Sequence, residues 1–166
     1  MSSYPPRECA TLRVVPGQAP AKIDPKSPDD YLEVMTKAVF QSGISWRVIE
    51  AKWDGFREAF QGFDAETVAA LTPEDVDRLA QDTRIVRNRR KIQATIDNAV
   101  ELIELDREHN GFRNYLRSHD SFEETVADLK RHFSFLGDSG SYYFLYVVGE
   151  KVPSHEEWMG SRSPSR

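Results

Sequence analysis

Residues 76–92 read VDRLAQDTRIVRNRRKI, and this stretch decides how the chain folds. Val76 and Leu79 are spaced as the apolar face of a short helix, and a tight turn centred on Ile85 follows them. In residues 89–107 the apolar side chains again recur at helical spacing. The stretch therefore predicts a short helix, a turn, and a long helix that begins among basic residues.

Basic residues are concentrated where the long helix begins. Residues 84–91 contain five of them and no acid, although the formal net charge of the whole chain is −5. Cations at a helix N-terminus oppose the helix dipole, so a bound polyanion such as DNA would explain the cluster. Alternatively, the cations pair with neighbouring acids such as Asp75, Asp77 and Asp82, and spacing alone leaves both interpretations open. On the first interpretation the DNA-binding residues are Arg84, Arg87, Asn88, Arg89, Arg90 and Lys91.

Further helices are predicted on both sides of this stretch. Capping signals that start helices are found at Ser27, Ser45, Asp64, Thr72 and Ser121. A buried stripe at helical spacing is predicted for Ile49, Trp53, Phe56 and Phe60. Residues 136–140 predict a turn, and the apolar run 142–148 after it has a strand-like composition. Because a lone strand would have no partner, we predict a buried helix there and an all-α fold class.

Proline and glycine content sets the predicted boundaries. Residues 1–27 hold five of the nine prolines and predict an irregular N-terminal arm. Residues 160–166 predict a flexible tail. A single helical domain is therefore expected over residues 28–159.

The bulk composition excludes several classes of protein. Hydrophobic residues make up 39% and charged residues 30% of the 166 residues, which is typical of one globular domain. No apolar run approaches the roughly 20 residues that span a bilayer, and the N-terminus lacks an apolar signal core. The single Cys9 excludes an internal disulfide and fits a reducing compartment. We expect a cytoplasmic monomer with no membrane partner.

Three sequence blocks occur together in a specific order. They are FQSGISW at residues 40–46, IVRNRRKI at 85–92 and FSFLG at 133–137. In this combination the chain resembles the DNA-3-methyladenine glycosylase I family, collinearly from about residue 30 to 149. The resemblance implies a helix-hairpin-helix fold that binds double-stranded DNA containing alkylated bases. It also implies a monofunctional, cofactor-free hydrolysis of the N-glycosidic bond of purines such as 3-methyladenine, in the bacterial cytoplasm at the nucleoid.

The chain departs from that family at several positions. Ala38 stands where the family has a base-recognising Glu, three residues before the Gln of the first block. The family's C-terminal zinc ligands are a His and a Cys four residues later, whereas this chain has His155 and Met159. The arm also lacks the family's N-terminal signature of a Cys, a His and aromatic residues. These departures predict no metal site and a loss of strict 3-methyladenine specificity.

Candidate site residues follow from the resemblance. Trp46 matches the family's pocket tryptophan, although position alone would favour a core role beside Trp53. The other candidates for contacting a base are Phe40, Gln41 and Tyr142. No catalytic residue is assigned, and Asp138 beside the Gly137 turn is the one candidate. A dedicated acid is not essential, because an N3-alkylated adenine is cationic and already has a weakened glycosidic bond.

Two other functions remain open on the sequence. Ala38 and the altered zinc positions favour a catalytically silent DNA-binding relative over a standard enzyme. A helical protein-interaction domain is the third possibility, and the basic cluster disfavours it.

Overall fold

The computed structural model of the chain describes residues 20–161, and within that range it consists of nine α-helices, one short 3₁₀ helix and no strand. The all-α prediction is confirmed. The helices are α1 (Pro28–Gln41), α2 (Trp46–Ala59), α3 (Ala65–Ala69), α4 (Pro73–Leu79), α5 (Arg89–Glu108), α6 (Phe112–Leu116), α7 (Phe122–His132), α8 (Asp138–Val147) and α9 (His155–Ser161), with the 3₁₀ helix at Gln61–Phe63.

Residues 20–27 form no helix but pack against the helical domain. The Ile23 amide donates to the carbonyl of Val147 at 2.7 Å, and Arg113 donates to the Asp24 carboxylate at 2.8 Å. The remainder of the predicted arm, residues 1–19, lies outside the described residues, as do 162–166 of the predicted tail. At the other end α9 includes residues 160 and 161, so the helical domain extends past the predicted boundary. No helix in the described part of the chain is long and apolar enough to cross a membrane.

Helix α5 is the central element of the core. Helices α1, α3, α4 and α6 pack against it, and α8 packs on α1. On α2 the predicted stripe is confirmed, because Ile49, Trp53, Phe56 and Phe60 are all buried. The Trp53 ring stacks on Phe56 at 5.0 Å, so this stripe forms one continuous aromatic layer.

The helix starts follow the predicted capping chemistry except at α1, where the Ser27 side chain makes no capping hydrogen bond, and at α8. The side chains of Ser45, Asp64 and Ser121 each accept a hydrogen bond from a backbone amide in the first turn of their helix. Between α1 and α2, Gly43 has a φ of 77°, a left-handed conformation that ends α1. The predicted turn at 136–140 is wrong in extent, because α8 begins at Asp138, four residues before Tyr142.

The turn between α4 and α5 docks on one face of α2. Lys52 on α2 donates to the Thr83 carbonyl at 3.0 Å, and Ile85 in the turn is buried. A Cβ atom added to Gly55 would lie 2.3 Å from the Arg84 carbonyl oxygen, which real contacts do not allow. Glycine at position 55 is therefore what allows the turn to approach α2 this closely.

Substitution of Gly55 by Ala should destabilise the protein. Alanine favours a helix over glycine by about 1 kcal/mol, but a clash with rigid backbone costs about 1–3 kcal/mol. We expect a net fall in the free energy of unfolding, measured by urea denaturation. The control is Ala51→Gly, one turn earlier on an exposed part of α2, which should lose only the helix-propensity term. A Gly55→Ala protein more stable than the parent would refute the close approach.

Candidate functional site

A cavity of about 420 Å³ lies between the end of α1 and the start of α8, and we call it the α1–α8 pocket. Its volume lies within the range of about 300–1,000 Å³ that is typical of small-molecule sites. Its walls are formed by Ala38, Gln41 and Ser42 from α1 and its C-cap, by Phe135 and Gly137 from the loop before α8, and by Asp138, Ser139, Gly140 and Tyr143 from α8.

The loop before α8 is held in place by Asn98. This buried side chain on α5 donates from Nδ2 to the Ser134 carbonyl at 3.1 Å, and its Oδ1 accepts from the Ser134 amide at 2.8 Å. The next residue, Phe135, has a φ of 58°, a left-handed conformation that is unfavourable for a bulky side chain. Its ring remains 45% exposed while lining the pocket. Phe135 is therefore an aromatic surface at the pocket wall, held there against backbone strain.

Asp138 supplies a carboxylate to the pocket wall. It is the first residue of α8, and Lys130 on α7 forms an ion pair with it at 3.0 Å. The structure thus places the sequence candidate Asp138 in the pocket. Its catalytic role stays a prediction.

Tyr143 supplies an uncharged hydroxyl group to the same pocket. Burial raises the pKa of Tyr143, and the negative charge of Glu50 raises it further, while the Gln41 side chain partly offsets both by hydrogen bonding. The hydroxyl therefore stays protonated at neutral pH and can donate a hydrogen bond. Gln41 was predicted to contact a base and does line this pocket, whereas Tyr143 was not among the predicted site residues.

Two predicted base contacts are corrected by the structure, and a third stays a prediction. Phe40 is fully buried with its ring 4.7 Å from that of Phe56, so no substrate can reach it. The Tyr142 hydroxyl donates to the Pro153 carbonyl at 2.7 Å, on a face of α8 outside the pocket. Trp46, the first residue of α2, is 36% exposed and does not line the pocket, and its contact with a base stays a prediction.

Lys91 is the largest correction within the predicted DNA-binding set. It is only 4% exposed, although it lies among the basic residues at the start of α5. Its Nζ donates to the carbonyl of Ser42 and, at 3.3 Å, to that of Phe40. These groups terminate α1, where helix carbonyls have no intrahelical partner and a cation is favoured by the dipole. Because the ammonium is used inside the protein, where burial lowers the pKa of Lys91, the prediction that it contacts DNA is wrong.

The remaining cations of the cluster divide into two groups. Arg84 pairs with Asp82 at 2.7 Å, and Arg89 pairs with Asp77 at 2.7 Å, as the alternative interpretation predicted. Asn88 caps α5 by accepting from the Lys91 amide at 3.1 Å. Arg87 and Arg90 are both exposed, and neither has a carboxylate partner among residues 20–161. Among the described residues, the cations of the cluster that have no carboxylate partner are therefore Arg87 and Arg90.

A second cavity, of about 630 Å³, lies on another face, next to the segments that follow α6 and α8. His119 is a titratable residue of its wall, and both ring nitrogens already have partners within the protein. Nδ1 lies 3.3 Å from the Leu116 carbonyl oxygen, and Nε2 lies 3.0 Å from the Asp128 carboxylate. The wall also holds the pair formed by Arg117 and Glu150. Because these polar groups are paired with one another, they are less available to a ligand, and the larger cavity is the weaker candidate for a functional site.

The positions that would match the family's two zinc ligands hold His155 and Met159. His155 is exposed at the start of α9, with its ring 5.7 Å from that of Tyr142. Across the part of the chain that the structure describes, no group of three or more His, Cys, Asp or Glu side chains could hold a metal ion. Cys9 lies outside that part.

Comparison with known proteins gives one consistent result. A model of the methyladenine glycosylase family matches residues 24–140. The chain is 31% identical over 130 residues to DNA-3-methyladenine glycosylase 1 of Escherichia coli K12, which covers 66% of this chain and 70% of that protein. It is 28% identical over 130 residues, with the same coverage, to DNA-3-methyladenine glycosylase of Haemophilus influenzae. The structure of 3-methyladenine DNA glycosylase I from Staphylococcus aureus superposes with a TM-score of 0.70 at 25% identity, over 78% of this chain and 80% of that one.

Replacing Lys91 by Met should lower stability. The substitution keeps the length of the side chain but leaves two carbonyls at the end of α1 without their donor, which costs about 1–3 kcal/mol. Thermal and urea unfolding measure this loss. The matched control is Arg87→Met, an exposed cation four residues earlier, which should change stability by less than about 0.5 kcal/mol. Equal stability of the two variants would contradict the structural role of Lys91.

Proposed function

The chain belongs to the methyladenine glycosylase family, and on this premise we propose that it is a base-excision repair glycosylase acting on alkylated purines in double-stranded DNA. The observation that carries the proposal is the position of the α1–α8 pocket beside the start of α5. Lys91 of α5 donates directly to the carbonyl of Ser42, and Ser42 is part of the pocket wall. The Lys91 side chain therefore connects the basic start of α5 to the wall of a cavity large enough for a base.

DNA would be held by Arg87 and Arg90. Their exposed guanidinium groups flank Asn88, the N-cap of α5, where free backbone amides and the positive end of the helix dipole also favour phosphate. Such contacts position the duplex without reading its sequence. We propose that the protein does this as a monomer in the bacterial cytoplasm.

The chemistry would begin with extrusion of the damaged base into the pocket. Phe135 offers an exposed aromatic face on which a base can stack, a contact worth about 1–3 kcal/mol. Cleavage breaks the bond between C1′ of the sugar and the ring nitrogen, and the electron pair leaves with the base. A cationic N3-alkylated purine departs as a neutral molecule without protonation. Water then adds to C1′ of the oxocarbenium-like sugar, and its proton passes to the Asp138 carboxylate.

A catalytically silent DNA-binding protein is the second candidate. Ala38 offers no carboxylate, and the one carboxylate in the pocket wall, Asp138, is already paired with Lys130. On this alternative the hairpin would still bind DNA through Arg87 and Arg90, and no base would be released. The third possibility, a protein-interaction domain, has no support from these two free arginines.

DNA affinity should depend on the two free arginines and on salt. Each phosphate contact contributes about 0.9 to the slope of log affinity against log salt concentration, so the double variant Arg87→Ala, Arg90→Ala should lose about 1.8 from that slope. Fluorescence anisotropy on two unrelated duplexes would measure it. The control double variant Arg107→Ala, Arg131→Ala removes the same charge from the ends of α5 and α7. If both double variants lose equal affinity, the hairpin is not the DNA-binding surface.

Base release should depend on Asp138. Incubation with methylated duplex DNA, followed by mass spectrometry of the free bases, should show release of 3-methyladenine by the parent protein. General base catalysis contributes about 100-fold or more, so Asp138→Asn should slow release by at least that order. Glu123→Gln, in the first turn of α7, removes a carboxylate outside the pocket and should have no effect. Full activity of Asp138→Asn would remove Asp138 from the mechanism, and no release by the parent would favour the silent alternative.

A further inference from the structure

The α1–α8 pocket has a floor of two small residues. Ala38 on α1 and Gly140 on α8 face each other so closely that a Cβ on Gly140 would lie 3.8 Å from the Ala38 Cβ. The same Cβ would lie 3.4 Å from the end of the Leu136 side chain, so both contacts are at ordinary van der Waals distance. Neither floor residue carries a polar group. Hydrogen bonds to a base must therefore come from the walls.

The walls hold few groups that are free to make those bonds. Asp138 is paired with Lys130 at 3.0 Å, and Glu50, whose charge acts on Tyr143, is paired with Lys37 at 2.5 Å. The charges next to the pocket are thus balanced in pairs. Recognition of a base in this pocket is left to uncharged donors and acceptors.

Two such groups, Gln41 and Tyr143, meet in the pocket. Gln41 lies one turn after Ala38 on α1, and Gln41 and Tyr143 both line the pocket. The Tyr143 hydroxyl is uncharged at neutral pH, so it can donate a hydrogen bond to an acceptor placed in the pocket. The adjacent Tyr142 is different, because its own proton is donated to the Pro153 carbonyl.

We propose that Tyr143 is the specificity-determining residue of this pocket, where its hydroxyl donates a hydrogen bond to a ring nitrogen or carbonyl of the extruded purine. The inference rests on the proposed function, since it assigns a substrate contact within the same site. It makes recognition depend on a neutral hydrogen bond instead of on a carboxylate at position 38.

Binding of free bases tests the inference independently of catalysis. The probes are 3-methyladenine, which has hydrogen-bond acceptors, and indole, a bicyclic ring of similar shape that has no acceptor nitrogen. Titrations followed by NMR would compare the parent protein with Tyr143→Phe and Tyr142→Phe. We expect Tyr143→Phe to weaken 3-methyladenine binding about tenfold and to leave indole binding unchanged. Tyr142→Phe should leave the affinity for both probes within about twofold of the parent.

The pattern of losses separates the possible outcomes. If Tyr143→Phe weakens both probes equally, the residue shapes the pocket and does not read the base, and the inference is overturned. Unchanged binding of 3-methyladenine overturns it as well. Gln41→Leu provides a second variant, which should also weaken 3-methyladenine binding because it removes the other uncharged hydrogen-bonding side chain of this wall.

The base-release assay keeps this inference distinct from the proposed function. A parent protein that binds 3-methyladenine through Tyr143 but releases no base from methylated DNA would support the inference and refute the glycosylase. A parent protein that releases 3-methyladenine as fast as its Tyr143→Phe variant would support the glycosylase and refute the inference. A parent protein that neither binds nor releases the base would refute both.

Discussion

The ammonium group of Lys91 donates to two carbonyls at the end of α1, and the position of the pocket relative to the start of α5 depends on this contact. On one side it fixes the C-terminal end of α1, which forms a wall of the pocket. On the other it fixes the start of α5, beside the exposed Arg87 and Arg90. A buried cation is unfavourable unless it is hydrogen-bonded, and the unpaired carbonyls of a helix end satisfy it. The contact therefore locks two helices in one register, so that a bound duplex would be held at a fixed distance from the pocket.

The same contact explains how a basic cluster can exist in an acidic protein without being wholly a DNA surface. Arg84 and Arg89 are paired with Asp82 and Asp77, and Lys91 is internal. Most of the positive charge that the sequence concentrates at the start of α5 thus stabilises the turn and its docking on α1 and α2. The charge that remains for a polyanion is small. A modest number of phosphate contacts suits a protein whose specificity would come from an extruded base and not from the surrounding sequence.

The helices and most of their caps could be predicted from the sequence because they depend on interactions between residues close together in the chain. Hydroxyl and carboxylate caps at Ser45, Asp64 and Ser121 act within one turn, and the stripe on α2 repeats at the helical period. The environment of each side chain depends on packing between residues far apart in the sequence, and it is harder to predict from the sequence. The resemblance points to Tyr142, whereas the pocket position of Tyr143 follows from the start of α8 at Asp138, which puts Tyr143 one turn after Ser139 on the same face.

The effect of an alanine at position 38 depends on the residues that surround it in the pocket. A lost carboxylate would leave a hole if the rest of the pocket kept the dimensions that suit a larger side chain. Here α8 approaches α1 through Gly140, so that the space at position 38 is narrowed from the opposite side. The polar wall is then formed by Gln41 of α1 and Tyr143 of α8. A base bound in this pocket would therefore meet polar groups from both helices, and the small residues Ala38 and Gly140 let the two helices come close together.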